Sequence, residues 1–308
     1  MAKPGLPLDG PLGRLLLGAG LTLVDVGARG DVRHEFRMLA PFSRLVVCEP
    51  EIEEASGLEE RIRAASPWAD VTVMTEALWS REGDVVLYVT QSPGMSSLRR
   101  PDPRVTRRYA IADAFDVRSE LEVPAITLDT AARRYDFGEA GLLKLDTQGT
   151  ELEILQSGDE LVRQLLGVYV ETLFRPFYEG QAVFGDIDRH LRERGFELFD
   201  LRRSHIRAAG HPDDLYSRRQ LTWAHCLYLR DPEAVLAHGG AWPARYLAIA
   251  IAYEYFDLAL WIAEAAAMGA EVVACVRDHA RRETERRLRR RPDDAAALVA
   301  TTARDPRL

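Results

Sequence analysis

Cysteine is scarce in this sequence of 308 residues, and its scarcity excludes two kinds of fold. The three cysteines, Cys48, Cys226 and Cys275, are odd in number and widely spaced. They match neither a disulfide framework nor the close cysteine pairs that hold structural zinc. We therefore expect buried free thiols in a reducing compartment.

Long apolar runs are also absent. No window reaches the roughly 20 uninterrupted apolar residues that a membrane-spanning helix needs. The N-terminal stretch has no proper signal peptide, because Arg14 interrupts its apolar part and a strand pattern follows directly. We therefore predict a cytoplasmic protein without stable membrane insertion.

Positive charge is outweighed by negative charge, and lysine is nearly missing. The chain has 40 Lys and Arg residues against 48 Asp and Glu residues, a net charge of −8. Nucleic-acid binding needs a basic face, so we predict no nucleic-acid partner, although a local basic patch is still allowed. The only lysines are Lys3 and Lys144, and Lys144 lies in the otherwise apolar start of LLKLDTQGTE, residues 142–151.

Short β-branched runs alternate with helical patterns from Leu21 to Leu229. Strands are predicted by eight segments, 21–27, 44–50, 70–78, 84–90, 142–146, 166–172, 196–202 and 223–229. The alternation predicts an α/β fold, with a mostly parallel sheet covered by helices on both faces. Ligands of such sheets bind beyond the carboxyl ends of the strands, so functional residues are expected just after strands.

The composition changes after residue 230. Residues 246–269 are rich in alanine and apolar on most sides, which predicts one long buried helix. We divide the chain into a domain at 1–230 and a helical extension at 231–308. The apolar helix either packs on the sheet or forms a homodimer. The arginine-rich stretch 277–291 is predicted to be a solvated helical face.

A glycine turn follows the first predicted strand. In VDVGARGD, residues 24–31, Gly27 and Gly30 let a ligand approach the backbone. The third glycine of the dinucleotide pattern G-x-G-x-x-G is missing, which disfavours a nicotinamide cofactor. Glu49 ends the second strand, where a carboxylate can bind both hydroxyls of an adenosine ribose, or can instead begin the helix that follows. Glu76 or the backbone at Ala77 could contact an adenine, and a simple loop is the alternative.

Two carboxylates end neighbouring strands in the second half of the pattern. Lys144 and Asp146 share one face of their strand, and Glu171 ends the next strand. A buried unpaired lysine would be costly, so Lys144 should pair with Asp25, Asp146 or Glu171. We interpret the group as functional carboxylates supported by an ion pair, and the alternative is a purely structural pair.

Four segments together resemble a known family. VDVGARGD, VVCEPE, LLKLDTQGTELEILQSG and VYVETLFRPFYEGQAVFGDIDRHLRERGFELFDL are similar to the FkbM family of S-adenosylmethionine-dependent methyltransferases, and GMSSL at 94–98 matches its serine-containing segment. The resemblance covers about residues 20–230. It implies a Rossmann-like class I methyltransferase sheet of six parallel strands and one antiparallel edge strand. It also implies methyl transfer to a hydroxyl of a sugar, glycan or polyketide-type natural product.

The resemblance and the strand pattern together assign the candidate residues. The predicted S-adenosylmethionine-binding residues are Asp25, Gly27, Ala28, Arg29, Glu49, Glu76, Ala77, Asp146 and Gln148. The predicted catalytic residues are Asp146 and Glu171, either of which could be the general base, with Lys144 as their positioning residue. A divalent cation such as Mg²⁺ between the two carboxylates is the less favoured version, because no third carboxylate is evident, and no metal ligand is assigned.

The acceptor and two other function classes are left open. Acceptor pockets are built from loops, here predicted at 91–125, 173–185 and 203–222. Their candidate residues are Arg175, Tyr178, Glu179, His205 and His211. A nicotinamide-dependent oxidoreductase or epimerase and a non-catalytic cofactor-binding scaffold are the alternatives.

Overall fold

The computed structural model describes most of the chain and shows ten strands and thirteen α-helices in that part. The described residues are 10–28, 32–138, 140–210, 212 and 216–290. The strands are β1 Thr22–Val26, β2 Arg44–Cys48, β3 Asp70–Met74, β4 Ala77–Leu78, β5 Gly83–Thr90, β6 Val117–Ile126, β7 Ala140–Leu145, β8 Gly167–Leu173, β9 Phe196–Ile206 and β10 Gln220–Arg230. The helices are α1 Pro11–Ala19, α2 His34–Leu39, α3 Ile52–Ala55, α4 Leu58–Ala65, α5 Pro103–Thr106, α6 Leu128–Arg134, α7 Glu151–Gln156, α8 Asp159–Val162, α9 Phe184–Arg192, α10 Pro232–His238, α11 Trp242–Ala252, α12 Phe256–Ala265 and α13 Ala270–Arg290.

Seven strands form the main sheet in the order β3-β2-β1-β7-β8-β10-β9. The strands β3, β2, β1, β7 and β8 pair in parallel, and β10 is antiparallel to both of its neighbours. The predicted α/β sheet, with mostly parallel strands and helices on both faces, is therefore confirmed. The predicted position of the antiparallel strand was wrong. β10 lies second from the edge because the β9–β10 hairpin folds back and inserts it beside β8.

The strand order reverses at the centre of the main sheet, between β1 and β7. β1 and β7 are neighbours, and the chain leaves β1 towards β2 on one side and β7 towards β8 on the other. The order of the strands reverses at this pair, so a crevice opens between the loops that follow them. Every residue of β1, β7 and β8 is buried, as expected for central strands that are covered on both faces.

A second, three-stranded sheet in the order β4-β6-β5 corrects three predictions. The predicted strand 70–78 is two strands, and 84–90 belongs to this small sheet. β6 was predicted as loop. Its sequence, VRSELEVPAI, does alternate apolar and polar residues, as a strand with one covered face should. Pro124 and the charged residues hid that pattern. The proline is tolerated because β4 pairs only with Ala125 and Ile126, so the ladder on that side does not reach Pro124.

Helices cover the two faces of the main sheet with separate cores. On one face, the residues of α6, α7, α8 and α9 pack against alternate residues of the strands, among them Val24, Leu143 and Val168. On the other face, α1, α2, α4, α11 and α12 pack against the remaining residues, among them Leu23 and Leu142. The sheet is therefore the shared layer between two hydrophobic cores.

The apolar stretch 246–269 falls in two helices, α11 and α12, and not in one, and α13 begins directly after it. The break between α11 and α12 contains Glu254 at φ 66°, and the break between α12 and α13 contains Ala267 at φ 50° and Gly269 at φ 94°. Positive φ reverses the chain locally, and non-glycine residues adopt it only where packing requires it. Ten of the eleven residues of α11 are buried, within the same core as the sheet.

The packing of α11 bears on two further predictions. Its apolar surface is buried within the chain, and a homodimer through the C-terminal helices stays a prediction. The division of the chain at residue 230 also stays a prediction.

The cysteines and the membrane prediction can be compared with the structure directly. All three cysteines are free thiols, with Cys48 and Cys226 buried and Cys275 half-buried. Across the described residues, no helix is both long enough and apolar enough to span a membrane.

We expect the sheet domain to be unable to fold without α11. Deleting residues 231–308 would expose the leucines and tyrosines that α11 covers, and an apolar patch of that kind promotes aggregation. The expected result is an insoluble chain, or one without a cooperative thermal transition by circular dichroism. A chain that ends at Arg290 is the control, because it retains all thirteen helices. A cooperative, monodisperse fragment 1–230 would contradict this expectation and support the predicted domain division.

Candidate functional site

A buried ion pair joins the two central strands below the site. Lys144 is the register partner of Asp25 across β1 and β7. Its Nζ lies 2.8 Å from Asp25 Oδ1, and the two side chains are 6% and 1% exposed. The same ammonium donates to the carbonyl oxygen of Gly27 at 3.0 Å. Of the three predicted partners of Lys144, Asp25 is therefore confirmed.

The charge of Lys144 is set by its carboxylate neighbours. Burial opposes the charged ammonium, but the Asp25 and Asp146 carboxylates outweigh this effect and raise the pKa of Lys144. Lys144 holds Asp25 and the turn after β1, and makes no ion pair with Asp146 or Glu171 among the described residues. Lys144 therefore lies one layer below the two predicted catalytic carboxylates, and its role as their positioning residue stays a prediction.

Three side chains converge at the carboxyl edge of the sheet. Asp146 follows β7, Glu171 lies in β8, and His225 of β10 is the direct register partner of Glu171. His225 Nε2 lies 3.7 Å from Asp146 Oδ2 and 3.8 Å from Glu171 Oε1. These separations exceed the length of a hydrogen bond. Each residue offers one ligand atom, and the three atoms lie within 4.8 Å of one another.

The two carboxylates have opposite electrostatic environments. Burial alone would raise the pKa of Asp146, but His225, Lys144 and Gln148 lower it to about 2. Glu171 is buried beside the Asp146 charge, and both effects raise its pKa well above the usual range. Paired groups with diverging pKa values are typical of acid–base sites.

Gln148 links the two carboxylates to each other. Its Nε2 donates to Asp146 Oδ1 at 3.0 Å and to Glu171 Oε2 at 2.6 Å. Its Oε1 lies 3.2 Å from the Tyr178 hydroxyl, which also bonds the carbonyl of Met95. Gln148 has φ 57°, a left-handed conformation that costs free energy in a residue other than glycine. The turn after β7 is therefore held in the geometry that aims this amide at both acids.

The buried carboxylate of Glu151 maintains that turn. It accepts hydrogen bonds from the backbone N–H of Thr147 at 2.9 Å and of Gly149 at 2.9 Å. It occupies the first turn of α7, where the positive end of the helix favours a negative charge. Glu151 is therefore a structural residue beneath the site.

A cavity adjoins the cluster of Asp146, Glu171 and His225, on the side of the predicted cofactor residues. Of the predicted cofactor residues, Gly27, Glu49, Ala77, Asp146 and Gln148 line it. Four residues of the 94–98 segment also line it, Gly94, Ser96, Ser97 and Leu98. Gly27 has φ 75°, and a Cβ atom there would lie 2.1 Å from the carbonyl oxygen of Asp146. Only glycine fits this close approach between the loops of β1 and β7.

The remaining predicted cofactor residues do not line this cavity. Asp25 lies below it in the ion pair, and Ala28 is buried in the core. Glu76 turns towards α6, where Arg134 Nη1 donates to it at 2.7 Å and the Tyr135 hydroxyl donates to it as well. Arg29 lies outside the described residues.

The predicted acceptor residues are spread over several places. Tyr178 is buried and bonds Gln148, so it belongs to the cluster itself. Arg175 lines a second cavity, Glu179 a third, and His205 a further one. His211 lies outside the described residues.

His225 was not predicted as a site residue from the sequence. A signal was present, because WAHCLYL places a histidine among apolar residues of a predicted strand, in the same way that LLKLD places Lys144. What the sequence does not show is the antiparallel register that places His225 opposite Glu171.

A sequence comparison identifies the family. The family model described as the methyltransferase FkbM domain matches residues 25–198, more than half of the chain. The chain belongs to the FkbM methyltransferase family. The predicted S-adenosylmethionine-dependent methyltransferase is thereby confirmed, and the nicotinamide alternative is left without support. No curated protein matches the sequence.

Solved structures show weaker similarity. Methyltransferase FkbM from Methylobacillus flagellatus KT has 13% identity and a TM-score of 0.39, over 68% of this chain and 44% of that one. Magnesium protoporphyrin IX methyltransferase from Synechocystis PCC 6803, with bound SAM, has 13% identity and a TM-score of 0.33, over 71% and 76%. A SAM-dependent methyltransferase from Anabaena variabilis has 10% identity and a TM-score of 0.31, over 68% and 77%. The family assignment rests on the family model and not on these structures.

We expect Lys144→Met to destabilise the protein by about 3–5 kcal/mol, because it leaves the buried Asp25 carboxylate unpaired. Urea unfolding would measure the loss, and the double variant Asp25→Leu/Lys144→Met should recover most of it. Arg133→Met is the control, since its pair with Glu160 is exposed and contributes little. Equal stability of Lys144→Met and the wild type would show that the pair does not support the sheet.

Proposed function

We propose that this FkbM-family enzyme transfers the methyl group of S-adenosylmethionine to a hydroxyl oxygen of a sugar, glycan or polyketide-type natural product. The observation that carries the proposal is the convergence of Asp146, Glu171 and His225 beside the cavity that Gly27 and Glu49 line. Transfer to a hydroxyl requires a group that accepts its proton, and all three side chains can do so.

The cavity suits the cofactor in shape and chemistry. Glu49 is buried at its end of β2 and could accept hydrogen bonds from two ribose hydroxyls. Its Oε1 also accepts the Glu51 N–H at 3.0 Å. The alternative prediction, a place in the first turn of the next helix, was wrong, because α3 begins at Ile52. The apolar side chains of Leu78 and Leu98 would flank an adenine. The methyl-bearing end would then lie near Asp146 and Gln148.

The residues at the carboxyl edge have distinct roles in this proposal. The cofactor supplies an electrophilic methyl group on a sulfonium. Asp146, with its pKa lowered to about 2, stays ionised and can orient an acceptor hydroxyl. Glu171 has a raised pKa and is the stronger base of the two carboxylates. Gln148 keeps both acids at a fixed separation, which is a positioning role.

A divalent cation is a second candidate for the same gap, and His225 favours it. The sequence analysis disfavoured a cation because it found only two carboxylates, and His225 supplies a third ligand atom. Two carboxylate oxygens and one imidazole nitrogen suit a metal such as Mn²⁺ as well as Mg²⁺. A cation held there would acidify the acceptor hydroxyl.

Replacing Glu49 tests the cofactor assignment. Glu49→Ala should weaken S-adenosylhomocysteine binding by on the order of 1–3 kcal/mol, the loss expected when hydrogen bonds to a charged acceptor disappear. Isothermal titration calorimetry on the folded variant measures it. Glu53→Ala is the control, because Glu53 is a nearby exposed residue of α3. Unchanged affinity in Glu49→Ala would refute the ribose assignment.

Replacing the two carboxylates tests the reaction. Asp146→Asn and Glu171→Gln should bind S-adenosylhomocysteine nearly normally, and loss of the base should lower turnover by about 10²–10⁴-fold. Methyl transfer from labelled cofactor to a panel of sugars and polyketide alcohols measures turnover, with Glu285→Gln in α13 as the exposed control. Dialysis of the wild type against EDTA distinguishes the two mechanisms. If a carboxylate is the general base, activity should be unchanged. If a bound cation acidifies the hydroxyl, activity should fall and be restored by Mn²⁺ or Mg²⁺.

A further inference from the structure

The side-chain amide of Gln148 has a separate partner for each of its hydrogen-bonding groups. Its Nε2 lies 3.0 Å from Asp146 Oδ1 and 2.6 Å from Glu171 Oε2, so each of its two hydrogens faces one carboxylate. Its Oε1 lies 3.2 Å from the hydroxyl oxygen of Tyr178. An amide that bonded only the two acids would move with them. The bond to Tyr178 ties the amide to a third point, from which it can hold the acids in place.

Tyr178 is a rigid anchor for that amide. The residue is 1% exposed, and its ring packs edge-on against Phe115 at 5.8 Å between centroids. The backbone beside it is fixed as well, because Glu179 N donates to the carbonyl oxygen of Arg100 at 2.9 Å. Side chains in a close-packed interior have little freedom to follow a moving partner. The position of the Tyr178 hydroxyl is therefore set by the fold and not by Gln148.

The same hydroxyl contacts the segment 94–98, four residues of which line the cavity proposed for the cofactor. The Tyr178 oxygen lies 2.8 Å from the carbonyl oxygen of Met95. That segment has an anchor of its own, because Tyr88 and Ser97 exchange two backbone hydrogen bonds, at 2.8 Å and 3.2 Å. A phenol hydroxyl has one proton, so the carbonyl oxygens of Met95 and of the amide share it. The hydroxyl therefore joins this segment to the amide that bonds both acids.

The hydroxyl keeps the proton that these bonds need. Burial and the neighbouring carboxylates of Glu171, Glu151 and Asp146 raise the pKa of Tyr178 well above its ordinary value. Tyr178 is therefore a hydrogen-bond donor and not a general base.

From this geometry we infer that Tyr178 is a positioning residue for methyl transfer, because its hydroxyl anchors the Gln148 amide and, through it, Asp146 and Glu171. The inference rests on the proposed function, which gives the two carboxylates their part in the reaction. A displacement of about 1 Å in a reacting group can lower the rate by about 10²-fold. Loss of the hydroxyl should therefore lower kcat, while the groups that bind the cofactor are all retained.

Tyr178→Phe and Tyr109→Phe are a matched pair of variants. Each keeps the aromatic ring and removes one hydroxyl from a buried tyrosine of the same hydrophobic cluster. The Tyr109 hydroxyl also donates to a glutamine, to Gln220 Oε1 at 3.0 Å. In the part of the chain that the structure describes, no hydrogen bond joins Gln220 to Asp146 or Glu171. Tyr109→Phe therefore controls for the loss of a buried hydroxyl as such.

The side-chain amide resonances of Gln148 provide a test that needs no acceptor. The chain has six glutamines, so selective ¹⁵N-glutamine labelling gives few signals, and the Gln148 pair is the one that disappears in Gln148→Asn. Asparagine tolerates the left-handed backbone at this position. With S-adenosylhomocysteine bound, Tyr178→Phe should shift both hydrogens and speed their exchange with water about tenfold, as expected for the loss of one hydrogen bond. Tyr109→Phe should leave them unchanged. Unchanged Gln148 resonances in Tyr178→Phe would overturn the inference.

Turnover is the second test, with the hydroxyl acceptor of the panel that the wild type methylates fastest. Tyr178→Phe should lower kcat about tenfold, with KM and S-adenosylhomocysteine affinity nearly unchanged, and Tyr109→Phe should match the wild type. Because Tyr178 acts through Gln148, the double variant Tyr178→Phe/Gln148→Asn should be no slower than Gln148→Asn alone.

The outcomes separate the inference from the proposed function. Full kcat in Tyr178→Phe, or losses that multiply in the double variant, would overturn the positioning role and leave hydroxyl methylation standing. A wild type that methylates no hydroxyl of the panel would instead overturn the proposed function, whatever the Gln148 resonances show.

Discussion

The ion pair between Lys144 and Asp25 is the interaction on which the carboxyl edge of the sheet depends. It joins the central strands β1 and β7 in a region from which water is excluded, so neither charge has another means of being neutralised. The same ammonium bonds the carbonyl of Gly27, and the next loop begins two residues after Lys144. One cation therefore fixes the turn on the cofactor side and the start of the turn that carries Asp146 and Gln148.

The junction of β7 and β8 divides the carboxyl edge of the sheet into two halves. The loops after β1, β2, β3 and β7 build the cavity that contains Gly27 and Glu49. β8 and β10 contribute Glu171 and His225. Asp146 and Gln148 lie at the boundary, where they contact both halves. A methyl donor on one side and an acceptor on the other would therefore meet at a group that the sheet itself positions.

What the sequence could predict depended on how local the signal was. A lysine within an apolar strand, a glycine turn and the ends of parallel strands are local patterns. They were sufficient for the family resemblance and the mostly parallel sheet, and they placed Asp25 among three possible partners of Lys144. The place of His225 beside Glu171 depends on an antiparallel register, which the sequence does not show. The partners of Glu76 are Arg134 and Tyr135, which lie 58 and 59 positions away along the chain. The breaks at Glu254 and Ala267 also lack a local signal, because tertiary packing imposes positive φ on residues that do not favour it.

The hairpin of β9 and β10 has a consequence for how such an enzyme can diversify. Of its connection, the described residues 207–210, 212 and 216–219 line no part of the cavity that contains Gly27 and Glu49. Insertions, deletions and substitutions in surface connections are tolerated when the framework beneath them is intact. Here that framework is a pair of eleven-residue strands. Under the proposed function, the connection could therefore change length and charge over evolutionary time and alter which molecule is methylated, while the cavity that Gly27 and Glu49 line is unchanged.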